Sequence, residues 1–372
     1  MMLMVAYRNK FVYLLLLLTN LSPIAAFSLL KGQSLSNRLA RLSRQFPPAI
    51  PTSTTSSLAA GSDSVDDITQ TFPIATLLEN AKALDDNLKN GEKLGRYADS
   101  TWSNRLGTVL TPAAIGVYTC DRPFYWNKID VGGRMSVIQL DDGNLWVHSP
   151  LNLDQATRTA LNKLGTVKYI VSPNYEHLKY AKQWSKEYPE AFMWGCPGLG
   201  EVVPEIEWEG EIPRGLLRPS ESHQLKNCWD FDFITPLHLD METNPFTGKA
   251  FFNEVIFYHR PSKSLFTTDI FWNYPQEDGV ANSHLLGNNY DGGLAPNVSS
   301  IPLGSRLWKI GMDKIYLPFY KKFMINDRKY YDEAVKVVLE EWDVETLIPC
   351  HGDIIRGKEK IEQVLAKHFL VN

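Results

Sequence analysis

Hydrophobic positions along this chain change period several times, and each change marks an element. Residues 135–140 and 145–149 are β-rich runs flanking Asp141, Asp142, Gly143 and Asn144, the mark of a hairpin with turn residues at its centre. Residues 154–164 recur at helical spacing, 167–171 form a short β-rich run, 179–188 read as helix and 191–194 as strand. Further strands are expected at 231–239, 254–259 and 264–268, the last two joined by the turn 260–263. A strong amphipathic helix at 327–342, a strand at 346–349 and a closing helix at 359–369 complete the series. Hairpins first, then strand and helix in alternation, predict an α/β domain with helices packed outside sheets.

The N-terminal hundred residues follow different rules. Arg8 and Lys10 precede the apolar run 11–18, and small residues follow up to Ala26, which together read as a signal peptide over 1–26. The run is too short for a permanent membrane helix, which needs about 20 apolar residues, so no transmembrane segment is expected in the mature protein. Residues 27–62 place Leu35, Leu39, Leu42 and Phe46 on one face beside Arg38, Arg41 and Arg44, then turn rich in Ser, Thr and Pro. Signal peptide followed by a basic, hydroxylated, acid-free segment with Phe27 at the junction resembles the bipartite plastid presequence of algae with secondary plastids. The expected address is the plastid by way of the secretory pathway; the alternative is a secreted or endomembrane protein with a stalk. Residues 63–100 read as a polar linker with a short helix at 75–90, and 101–372 as the folded domain.

Charge separates these regions further. Residues 1–62 hold six basic residues and no acid; removing those six from the chain's 38 Lys and Arg leaves 32 against 42 Asp and Glu, a net of −10. So acidic a body is a poor partner for a phosphate backbone, and no nucleic-acid partner is expected. Hydrophobic residues make up 44% of the chain, enough for a real core. Cys120, Cys196, Cys228 and Cys350 are widely spaced without a CxxC pair, which reads as four buried thiols in a reducing compartment. The chain has no dinucleotide fingerprint, no phosphate-binding loop and no GxSxG elbow.

Three polar clusters follow predicted strands, where α/β folds collect their ligands. They are 172–177 with Glu176 and His177, 267–270 with Asp269, and 349–353 with His351 and Asp353. Singly, each has a plain reading: a loop His bonded to backbone, an Asp that caps a segment, a Gly-containing tight turn. Jointly, two carboxylates and two imidazoles fill most of one metal's coordination sphere, and nitrogen with oxygen suits zinc, iron or manganese.

In order and strand context these clusters resemble the metallo-β-lactamase superfamily from about Trp102 to the C-terminus. That family has an HxHxDH loop after an early strand, an Asp after a hairpin strand and a late GHGD-like turn. Segments 145–150, 173–177 and 254–259 resemble an uncharacterised branch, a domain of unknown function found in photosynthetic organisms and bacteria. The resemblance implies an αββα sandwich with metals at the edge between two sheets. Aligned on His177, the two leading motif histidines fall on Ser172 and Asn174, the motif Asp becomes Glu176, and the later family His has no counterpart in 244–254. The first metal site has thus lost its imidazoles. The second keeps four residues able to ligate: Glu176, His177, Asp269 and His351.

A mononuclear centre at that second position is therefore expected, binding one divalent metal, zinc foremost with iron or manganese as alternatives. Glu254 would ligate, act as base or simply start its strand, and Asp353 would orient His351. Cys350 would either ligate or serve as a small hydrophobe. His148, His238 and His259 sit on strands and receive no role, and the tryptophans either line a substrate pocket or fill the core. Two functions compete: a metal-dependent hydrolase of a small ester, thioester or lactone, and a catalytically inactive scaffold without metal that binds a plastid lipid, pigment or protein partner. A third reading is redox chemistry at a single iron.

Overall fold

The computed structural model describes residues 94–370, apart from 96, 98–100, 105–106, 127, 216–221, 223 and 275–300. The expected signal peptide, transit segment and linker helix lie outside the described residues.

Among the described residues, fourteen strands form two main sheets and a ribbon. The first sheet has the order β1 (Thr111–Ala114), β2 (Val117–Arg122), β5 (Gly133–Gln139), β6 (Leu145–His148), β7 (Val167–Ser172), β8 (Phe192–Gly195) and β9 (Gly210–Glu211). Its first four strands are antiparallel and β6 to β9 run parallel. The second sheet has the order β10 (Ile234–His238), β11 (Val255–His259), β12 (Ser264–Thr267), β13 (Thr346–Pro349) and β14 (Ile355–Arg356), with β12 and β13 parallel. β3 (Tyr125–Trp126) and β4 (Ile129–Asp130) make a small separate ribbon.

Side-chain alternation decides what each face of the first sheet touches. Met135, Val137, Val147, Ile170 and Met193 pack beneath Ala160 and Leu161 of helix α1 (Gln155–Leu164) and Ala181 and Trp184 of α2 (Ala181–Glu187). Their neighbours Ile138, Trp146, Tyr169, Val171 and Trp194 face the other way, onto Ile234, Phe257, Phe266 and Ile348 of the second sheet. Behind that sheet, Tyr258 stacks on Trp342 at 5.1 Å and its hydroxyl donates to the Asp343 carbonyl at 3.1 Å. Helix, sheet, sheet, helix: the layers bear out the expected αββα sandwich.

Local signals act as expected at several ends. Asp154 caps α1, its carboxylate accepting from the Thr157 amide at 2.7 Å. The 260–263 turn closes with the Lys263 amide donating to the Arg260 carbonyl at 3.1 Å. The strand expected from 231 begins only at Ile234, because the Asp230 carbonyl and carboxylate draw the amides of 232–234 into a turn. After the four-residue α3 (Leu199–Val202), a long helical segment that the pattern does not reveal starts as α4 (Leu303–Gly311). It continues through π-helical turns at Met312–Tyr316 and Tyr320–Met324. α5 (Arg328–Lys336) with a π-helical turn at Val337–Glu341, and α6 (Lys358–Phe369), agree with the expected C-terminal helices. Three of the cysteines are buried and Cys228 half-buried, all as free thiols. No helix among the described residues is long and apolar enough to cross a membrane.

Candidate metal centre

Parallel register builds the site. β12 and β13 end together, with Thr267 opposite Pro349 and the Cys350 amide donating to the Thr267 carbonyl at 2.9 Å. Asp269 and His351 each lie two residues beyond those ends, so they leave the second sheet side by side. In the first sheet, the pairing of β6 with β7 ends with His148 opposite Val171, and the loop after β7 carries His177. All three residues follow the C-terminal ends of parallel strands, the edge where such sheets present ligands.

The three side chains converge: one ligand atom from each of His177, Asp269 and His351 lies within 4.8 Å of the others. His177 Nε2 is 3.3 Å from Asp269 Oδ2, and His351 Nε2 is 3.4 Å from Asp269 Oδ1. Charge-assisted hydrogen bonds close to about 2.7–2.9 Å. Donors about 2.1 Å from a shared tetrahedral ion instead stand about 3.4 Å apart, which these two pairs match.

Each ligand has a partner that aims it. His351 Nδ1 is 2.7 Å from the Gly132 carbonyl. A carbonyl can only accept, so Nδ1 carries the proton and Nε2 is the atom presented to Asp269. His177 Nδ1 meets the Ser149 hydroxyl at 2.5 Å. The Asn174 amide donates to Asp269 Oδ2 at 2.8 Å. Burial alone would lower the His177 pKa, but the charge and hydrogen bond of Asp269, with the nearby Cys350 thiol, hold it well above the usual value. Burial works against the Asp269 carboxylate too, yet the two imidazoles it faces keep it far below the usual range.

The other sequence candidates occupy different places. Glu176 is not part of the convergent group; it lines the adjoining recess with His177 and His351. The Asn174 side chain captures the amides of both 176 and 177, and successive side chains of such a turn leave the backbone in different directions. Glu254 is not an exposed strand-start residue: it is buried, and its carboxylate accepts from the amides of Thr268 at 2.7 Å, Asp269 at 2.7 Å and Ile270 at 2.9 Å. It shapes the turn that presents Asp269, a holding role where a base was one of the expectations. Asp353 is buried beside the His351 turn, but the Gly132 carbonyl is what engages His351 Nδ1. The backbone of Asp353 ties the turn to Asn273 instead, its amide donating to the Asn273 carbonyl at 2.7 Å and its carbonyl accepting from the Asn273 side chain at 2.8 Å. Cys350 is buried, with its thiol beside His177.

His148, His238 and His259 are buried strand residues, as expected. His148, enclosed among Trp146, Phe257 and Phe266 rings, is pushed down to about 3 by burial and by His177. Ser149, Gly132 and Arg134 were not singled out in the sequence. Ser149 lies in a segment that carried the resemblance, but its partner is 28 positions away and no local pattern connects them.

A family model covers much of this region. Residues 116–283 match the Domain of unknown function (DUF4336), a span that includes His177, Glu254 and Asp269 and stops short of His351. No curated protein matches the chain. Among solved structures, the chain is similar to DIM-1 metallo-β-lactamase exposed to ceftazidime, at 13% identity over 70% of this chain and 94% of that one, TM-score 0.43. A metallo-β-lactamase from Hirschia baltica matches at 9% identity over 71% and 98%, TM-score 0.43. A metal-soaked Flv1 flavodiiron core from Synechocystis sp. PCC6803 matches at 13% identity over 70% and 60%, TM-score 0.39.

Proposed function

We propose that the chain is a metal-dependent hydrolase with one divalent cation, zinc foremost with iron or manganese as alternatives, held by His177, Asp269 and His351. The observation that carries this reading is the spacing of 3.3 and 3.4 Å between Asp269 and the two imidazoles, which suits a shared ion. An ion held there supplies Lewis acidity, lowering the pKa of a water and polarising a carbonyl. The chain's own residues do the rest. Gly132 holds His351 in the tautomer that presents Nε2, Ser149 anchors the His177 ring at Nδ1, and Asp269 sets a negative charge between the imidazoles. Phe124, Pro150, Leu151 and Tyr180 line the recess shared with His177 and His351, a surface suited to the apolar part of a small ester, thioester or lactone.

Elemental analysis of the purified full chain after metal-replete growth tests this directly. About one equivalent of zinc, iron or manganese is expected, falling below about 0.2 in His177→Ala and His351→Ala, together with loss of turnover on a panel of apolar esters, thioesters and lactones. A metal-free wild type that stays folded rules the centre out and leaves the inactive binding or scaffold protein. A metal-loaded wild type inert to the whole panel rules out this hydrolase.

A further inference from the structure

The Asn174 side chain is fully enclosed and engaged at both ends. Its oxygen accepts from the backbone amides of Glu176 at 3.0 Å and His177 at 2.9 Å. Those bonds settle which end is which, since only the oxygen can accept from an amide. The nitrogen therefore turns the other way, toward Asp269 Oδ2 at 2.8 Å, Thr268 Oγ1 at 2.9 Å and Glu254 Oε2 at 3.3 Å. Three oxygens, two of them from carboxyl groups, close on one positively polarised point. That donor set is the one a hard cation takes, here met by an N–H₂ group. Two buried carboxylates at this range disfavour each other's charge unless something positive stands between them.

We propose that the Asn174 carboxamide fills a second cation position beside His177, Asp269 and His351, limiting the centre to one ion and aiming Asp269 at it. The inference rests on the metal centre proposed above. By donating to Oδ2, Asn174 fixes how the Asp269 carboxylate is turned, with Oδ2 toward His177 and Oδ1 toward His351. The same side chain ties the loop bearing His177 to the turn bearing Asp269, so ligands from two sheets are set by one residue. Asn174 acts through its neighbours and is a positioning residue.

The test takes the purified full chain, stripped by a chelator and titrated with Zn²⁺ against a chromophoric competitor, then with Mn²⁺ followed by paramagnetic resonance. Wild type is expected to bind one ion of either metal. Asn174→Ala is expected to bind one ion with a dissociation constant about 10–100-fold weaker. Asn174→Asp keeps an acceptor for the amides of 176 and 177 but sets a third carboxylate against Asp269 and Glu254, and is expected to bind two Mn²⁺. A folded wild type that binds no ion sinks both the centre and this inference. With one ion in the wild type, an Asn174→Ala affinity equal to wild type, or an Asn174→Asp that stops at one ion, overturns the role of Asn174 alone. Where Asn174→Ala does not fold, the Asn174→Asp stoichiometry decides.

Discussion

Glu242 and Glu254 stand behind the centre and do related work: each buries a carboxyl group to gather backbone amides of a loop. Glu254 gathers 268–270 around Asp269, while one oxygen of Glu242 takes the amides of Phe252 and Asn253. The other Glu242 oxygen is buried without a hydrogen-bond partner. Burial, with the Glu254 and Asp269 carboxyls nearby, pushes Glu242 up to about 8. An ordinary glutamate titrates near 4.3, so between about pH 4 and 8 the folded chain holds a proton that the unfolded chain has released. Stability must then fall as pH rises through that window, by at most on the order of 5 kcal/mol from this group. Glu242→Gln keeps an acceptor and removes the titration. Urea unfolding of chelator-stripped protein at pH 5 and pH 8.5 should show a smaller loss of stability in Glu242→Gln than in wild type; equal losses would refute the assignment. His177, Asp269 and His351 were legible because each sits just past a strand that the pattern predicts. The places of Glu176, Glu254 and Asp353 were not, because side-chain direction within a turn depends on distant hydrogen-bond partners.

Among the elements, the turn after β13 is the most constrained. Gly352 has φ 91°, and a Cβ there would lie 2.1 Å from the Asn273 carbonyl oxygen and 2.6 Å from the Tyr274 amide. That close approach exists because the 351–353 turn pairs with Asn273, whose amide donates to the His351 carbonyl at 3.0 Å. Gly352→Ala must push the two backbones apart, at a cost of roughly 3 kcal/mol or more, and carry His351 with it. A lowered melting temperature together with lost metal binding is expected; wild-type values for both would show that the turn adapts freely. The neighbouring segment is braced by the long C-terminal helical run, where the Trp272 indole donates to Asp313 at 2.9 Å and the Trp308 indole to the Tyr274 hydroxyl at 2.9 Å. Gly304, Gly311 and Pro318 hid this run from the sequence pattern. Such residues usually break helices, and here π-helical turns on either side of Leu317–Phe319 accompany the proline, which lacks an N–H.

Across the whole molecule, the centre exists only while two sheets stay packed, since His177 follows the first and Asp269 and His351 the second. Arg134 of β5 joins them. Its guanidinium is buried, pairs with Asp121 at 2.6 Å and donates to the carbonyls of Pro349 at 2.6 Å and Gly352 at 2.7 Å. Arg134→Met would strand a buried carboxylate and two carbonyls, a loss of about 3–5 kcal/mol. Chemical denaturation should record that loss and metal titration a weaker centre. A change under about 1 kcal/mol would mean that apolar packing alone fixes how the sheets meet.

The amino-acid pattern by itself determined most of the strands and helices between residues 135 and 369, the helical run from Leu303 excepted, since period and caps act over neighbouring residues. It also placed three chemically apt side chains immediately after strand ends. Only the tertiary structure decided that those three meet while Glu176 does not, and that Gly132, Ser149 and Asn174 aim them. Register between strands some eighty residues apart, and hydrogen bonds between the sheets, set such distances, and no local run of residues encodes either.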